Sequence, residues 1–156
     1  MDELLTRLHA GEGTWHGTGK SATGAAFTAD LFVARVAGGR GVTLSYQAID
    51  GQGHLIHDEL LLVGPHAMGR VALWTLGSEV DAVLEHRLRR TDGSSMWVFA
   101  FGLRDDLEGF RQEVTLGFNR DGSLGIHHGW GLPGQEFRDG SKATFAPGAS
   151  SSGILA

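Results

Sequence analysis

The sequence predicts an all-β fold, a single antiparallel up-and-down β-barrel of about ten strands preceded by a short N-terminal helix. Three observations carry that reading. Apolar and polar residues alternate with period two over most of the chain, glycine-bearing turns punctuate the alternation, and no interior stretch has the rhythm of a crossover helix. Without crossover helices a parallel sheet has no way to form. An antiparallel meander with one buried face closes most naturally into a barrel, which removes its edges.

Leu4, Leu5 and Leu8 fall at helical spacing within residues 1–10, and Gly11 can stop that helix. Strands are expected near 14–20, 27–37, 42–50, 54–63, 69–76, 79–90, 95–102, 109–119, 122–130 and 136–146. On the first, Trp15, Gly17 and Gly19 share a face, so an indole is followed by two absent side chains. Val42, Leu44, Tyr46 and Ala48 share a face of the third, and Val80, Ala82, Leu84, His86 and Leu88 share one of the sixth. Phe110, Gln112, Val114, Leu116 and Phe118 do so on the eighth, as do Leu124, Ile126, His128 and Trp130 on the ninth. Gly38-Gly39-Arg40-Gly41, Asp50-Gly51-Gln52-Gly53, Asp92-Gly93 and Asp121-Gly122 offer the positive φ of tight hairpin turns. One domain spans 1–147, and the Gly/Ser-rich residues 148–156 read as a disordered tail.

Composition removes several functions. The 156 residues suffice for one domain with a real core. With 18 acidic and 13 basic residues the formal charge is −5, the wrong sign for a nucleic-acid-binding face. The absence of cysteine excludes disulfides, thiolate metal ligands and a cysteine nucleophile. No apolar run approaches the ~20 residues of a membrane span, and no signal-peptide core opens the chain. A cytoplasmic protein with no membrane partner is expected; oligomeric state stays open, a homodimer through strand edges being one option.

The segment Gly13-Thr14-Trp15-His16-Gly17-Thr18-Gly19 resembles the calycin superfamily, whose members carry Gly-x-Trp on the first strand after a short helix. The fuller Gly-Thr-Trp-x-Gly-x-Gly is similar to the ten-stranded branch related to fatty-acid-binding proteins, which includes nitrobindin-like haem-binding barrels. The resemblance implies that Trp15 plugs the closed end, with Gly17 and Gly19 permitting close backbone approach. It also implies a cation from the last strand, Arg138 or Lys142, over Trp15. Two departures stand out. Lys20 to Ala25 contains no Tyr-Pro pair, and Gln135 to Pro147 holds no histidine for a haem iron, which would have to use His86 or His128.

Polar residues on inward phases point to a cavity. Tyr46, His86, Gln112 and His128 would each cost ~1–3 kcal/mol in a solid core if unpaired, whereas in a hollow barrel they orient a ligand. Trp74, Trp97 and Trp130 would supply apolar walls. The expected function is binding of a small, largely apolar molecule by Tyr46, Trp74, His86, Gln112, His128 and Trp130. Haem binding, an inward histidine acting as general base, and a filled barrel serving as an interaction module are the alternatives. No metal centre is expected: His54 and His57 point to opposite faces of a strand, as do His127 and His128, and His86 with His128 lacks a third ligand. The pair Asp58-Glu59 likewise offers at most one inward carboxylate. Gly19-Lys20-Ser21 lacks the upstream glycine and the following helix of a phosphate-binding loop.

Overall fold

The structure, a computed structural model, describes residues 2–148, so all of the expected tail but Gly148 lies outside the described residues. Helix α1 (Glu3–Ala10) is followed by β1 (Gly13–Lys20), β2 (Ala26–Val36), β3 (Gly41–Asp50), β4 (Leu55–Pro65) and β5 (Val71–Gly77). Then come β6 (Leu84–Thr91), β7 (Met96–Phe101), β8 (Arg111–Phe118), β9 (Leu124–Gly131) and β10 (Arg138–Pro147). Each strand pairs antiparallel with the next, and β1 pairs with β10 to complete a closed ring. Closure leaves no free edge among the described strands, so edge pairing gives no basis for a homodimer.

The two ends of the barrel differ. The helix and the β2–β3, β4–β5, β6–β7 and β8–β9 turns cover one end; the other five connections ring the opposite, open end. Asp2 caps α1 by accepting a hydrogen bond from the Leu4 N–H at 2.8 Å. Leu4, Leu5 and Leu8 then turn inward and join the core of Trp15, Leu31, Val33, Leu44, Val63, Trp97, Val114 and Phe145. Each such side chain contributes ~1.5–3 kcal/mol by leaving water. The Trp15 indole N–H donates to the Gly11 carbonyl at 2.6 Å, tying the helix stop to the first strand. Arg7 donates to the Ser94 carbonyl at 2.7 Å and lies 4.3 Å over the Phe118 ring.

Gly17 and Gly19 are required by packing. A Cβ on Gly17 would lie 2.3 Å from the Thr144 carbonyl oxygen, and one on Gly19 would lie 2.3 Å from that of Lys142. Phe145 and Phe27 fill the space the glycines vacate.

Three expectations are corrected. Strand β6 begins at Leu84 rather than near 79, because its ladder with β5 runs only from Ala72↔Arg87 to Thr75↔Leu84. The Ser78 N–H donates instead to the Asp58 carbonyl at 2.8 Å, and residues 78–83 form a loop at the open end. Trp74 faces outward, stacked on His66 with ring centroids 6.2 Å apart, since Leu73 and Thr75 occupy the buried phase. It therefore cannot wall the cavity. Arg138 does not cover Trp15, because the register sets Trp15 opposite Pro147 and Arg138 opposite Trp130. Its guanidinium lies 5.2 Å over the Trp130 ring, while Lys142 is paired with Lys20 near the open end.

Replacing Gly17 by alanine should lower stability by about 1–3 kcal/mol, the usual cost of overpacking, in urea unfolding monitored by circular dichroism. Thr18→Ala, at the exposed neighbouring position, should stay within about 0.5 kcal/mol of the parent.

Candidate functional site

The open end leads to a cavity of about 210 Å³. Phe27, Ala48, Ile56 and Trp130 supply its apolar surface; Tyr46, His57, Glu79, Gln112 and His128 supply polar groups. Strand alternation places these side chains. His57 and Glu59 are two apart on β4 and face inward with Leu61 and Val63. His128 and Trp130 do the same on β9 with Leu124 and Ile126, and Tyr46 follows Val42 and Leu44 on β3.

Glu59 is the centre of the arrangement. Strands β4 and β9 are five strands apart in either direction round the ring, yet the His128 Nε2–H donates to Glu59 Oε1 at 2.7 Å, straight across the barrel. His57 Nε2 donates to the same oxygen at 3.2 Å, and its Nδ1 reaches Glu79 Oε1 at 3.2 Å. Tyr46 packs edge-on against both imidazoles, with centroids 4.9 Å from His57 and 5.9 Å from His128. A carboxylate chain thus runs inward from the rim: Glu79, His57, Glu59, His128.

Each protonation state follows from these contacts. Burial disfavours a charged His57, but its hydrogen bonds to Glu59 and Glu79 outweigh that and raise it to about 9. Burial would likewise raise Glu59, yet the attraction of His128 and His57 holds it well below the usual carboxylate range. Burial and then the Glu59 charge push the Tyr46 hydroxyl above its ordinary value, so it stays neutral. His86, fully buried, is lowered by that burial, and as a neutral ring it donates from Nε2 to Gln112 Oε1 at 2.8 Å. That bond engages the Gln112 amide oxygen and leaves the NH₂ as the group this cavity-lining residue can offer a guest.

The rim on the β7–β10 side is held by Arg111. Its guanidinium, 1% exposed, donates to the carbonyls of Gly109 (3.0 Å), Arg104 (2.7 Å), Leu132 (2.7 Å) and Gln135 (2.6 Å). Arg104 in turn grips Glu113 through two bonds of 2.9 Å and lies over Phe137.

Of the residues predicted from sequence, Tyr46, Gln112, His128 and Trp130 line the cavity, and His86 lies behind Gln112. Trp74 does not take part. His57, Glu59 and Glu79 were missed. A His-x-Glu spacing on an alternating strand was the available signal for the first two. Glu79 is brought to the rim by a loop that the sequence had disguised as strand.

The residues present do not suit a haem. Strand β10 carries no histidine, and the cavity is smaller than the ~300 Å³ at which sites for drug-sized ligands begin.

No known protein family matches the chain, and no curated protein sequence matches it. Solved structures do. Rv2717c from M. tuberculosis is similar with a TM-score of 0.62 and 17% identity, over 92% of this chain and 96% of its own. EF1p2_mFAP2b bound to DFHBI is similar with a TM-score of 0.51 and 8% identity, over 93% of this chain and 98% of its own. At these identities the likeness is one of fold alone, that of a closed antiparallel β-barrel. Among the described residues no helix is long and apolar enough to cross a membrane.

The site makes stability pH-dependent on both sides. His57, raised, stabilises the fold fully below its unfolded value of ~6.5, and that contribution is lost as pH rises through about 9. Glu59, lowered, stabilises above its unfolded value of ~4.3 and loses that as pH falls. Thermal melts in chelator-treated buffer should therefore peak between about pH 5 and pH 6.5. His57→Gln should flatten the alkaline decline while leaving an acid limb.

Proposed function

We propose that this barrel binds a small, largely apolar molecule through its open end, with the polar groups of the cavity fixing the orientation. The observation that carries this is the cavity itself: an apolar surface inside a rigid ring, with Gln112, His57 and Tyr46 converging on it in defined protonation states. A volume of about 210 Å³ equals the liquid-phase share of about seven waters, at ~30 Å³ each, so the occupant is compact. An apolar or aromatic body would lie against Phe27, Ile56 and Trp130, and an oxygen acceptor on it would meet the Gln112 NH₂. Burial supplies affinity at ~25 cal/mol per Å², and the polar contact supplies direction. The neighbour with DFHBI bound supports the reading, since a protein of similar fold there binds a small molecule.

The Gly13–Gly19 segment and the count of ten strands favour kinship with the branch related to fatty-acid-binding proteins and nitrobindins. The catalytic alternative has less support. A general base needs a ring nitrogen facing substrate, whereas His128 has Nε2 on Glu59 and Nδ1 sealed from solvent without a partner.

4-Nitrophenol, a compact aromatic with oxygen acceptors, is a suitable probe for calorimetry on chelator-treated protein. Saturable one-to-one binding is expected, with Ala48→Phe weakening it at least tenfold by filling the cavity. No binding of this probe, of indole or of a short-chain alcohol, together with a native mass free of any adduct, would remove the proposal.

A further inference from the structure

The geometry points to a second property of the barrel: His57, Glu59 and His128 form a three-ligand site for a divalent transition-metal ion. One donor atom from each residue lies within 4.8 Å of the other two. The two imidazole nitrogens are 2.7 Å and 3.2 Å from the same carboxylate oxygen, Glu59 Oε1. A metal held ~2.0–2.1 Å from three donors requires separations of roughly 2.9–3.4 Å, for octahedral to tetrahedral angles. Two of the three edges of the ligand triangle are therefore close to the required length before any ion enters. Only the two imidazoles have to approach each other, and their rings are 5.3 Å apart at the centroids.

Three further features suit a cation. Two imidazoles and one carboxylate are the donor set of open, three-ligand zinc sites and of the facial triad that holds iron(II). Glu79 accepts from His57 Nδ1 at 3.2 Å, so the face of that ring turned away from the site is anchored to a carboxylate, as metal-bound histidines commonly are. His57 and His128 also line the cavity, so the remaining coordination positions would open towards a bound small molecule. The lone buried Nδ1 of His128 does not count against the assignment, because it has no partner with or without the ion.

The assignment does not depend on the apolar-ligand reading, and the two can fail separately. Zn²⁺ calorimetry and Co²⁺ absorption titrations on chelator-treated, folded protein test it. One ion per chain is expected, with Co²⁺ giving the visible d–d bands of a site of low coordination number. Glu59→Gln and His57→Gln should each weaken binding by at least a hundredfold, and Glu79→Gln by about 10–100-fold, the usual effect of losing a histidine's outer partner. The absence of saturable binding, or binding indifferent to both Glu59→Gln and His57→Gln, would overturn the site. His57 is less buried than Glu59, with 19% of its side chain exposed against 4%, so His57→Gln decides the matter should Glu59→Gln fail to fold. Metal binding without binding of 4-nitrophenol would leave this site standing and remove the ligand proposal; the opposite result would do the reverse.

Discussion

A carboxylate in the middle of a barrel is the constraint around which this molecule is arranged. Glu59 is 5% exposed and has left water, a cost of several kcal/mol for an unanswered ion. Its own strand can answer it only from positions two residues away, and the partner there is His57. The other answer comes from the opposite wall, where His128 donates across the full width of the ring. That contact fixes the distance between two strands that no backbone hydrogen bond connects. Removing either partner would leave a buried charge half satisfied, so the cross-barrel bond has to persist unless something of equal charge replaces it.

This polar layer also divides the interior. On the helix side, Leu4, Leu5 and Leu8 pack over β2 and β3 and share one buried core with side chains of β4, β8 and β9 and with Trp15 of β1. On the other side the chain places Ala48 on the cavity wall, where a larger side chain would fill the bore. The rim depends on loops without regular structure, and Arg111 compensates by serving four of their carbonyls at once. Gly131 is part of the same device, since a Cβ there would lie 2.5 Å from that guanidinium.

Much of the fold was legible because period-two alternation and turn glycines are local signals, and a closed ring needs little else. Trp15 with Gly17 and Gly19 was legible for the same reason: an indole followed by two gaps on one face has few structural uses. Trp74 was misread because β5 has Ala72 buried on the outward phase as well, so alternation alone does not mark its inside. The segment 79–83 was misread because Val80, Asp81 and Ala82 alternate within a loop. Arg138 was tied to the wrong tryptophan because the register between the first and last strands is a long-range fact. The candidate site was half legible for that reason too. His128, Tyr46 and Gln112 announced themselves as polar residues on apolar faces. His57 and Glu59 are masked by their neighbours His54 and Asp58, and only their spacing of two on one strand puts them on the same face. Which residue of β9 would meet them depended on barrel diameter and stagger, which no local pattern contains.

The chain of charges from rim to centre limits what could occupy the cavity. Glu79 is 60% exposed on its side chain while Glu59 is almost sealed, so the outer carboxylate is screened by water and the inner one is not. An anionic guest would approach Glu79 first, and the His57 charge behind it is already claimed by two carboxylates. A neutral guest meets no such penalty and can use the Gln112 NH₂, whose orientation His86 enforces from behind. A cation small enough to pass the imidazoles reaches the buried carboxylate of Glu59. The proposed apolar burial near the mouth and the proposed cation affinity at the centre would thus follow from one arrangement, in which a buried carboxylate lies beneath a cavity and is answered by two imidazoles.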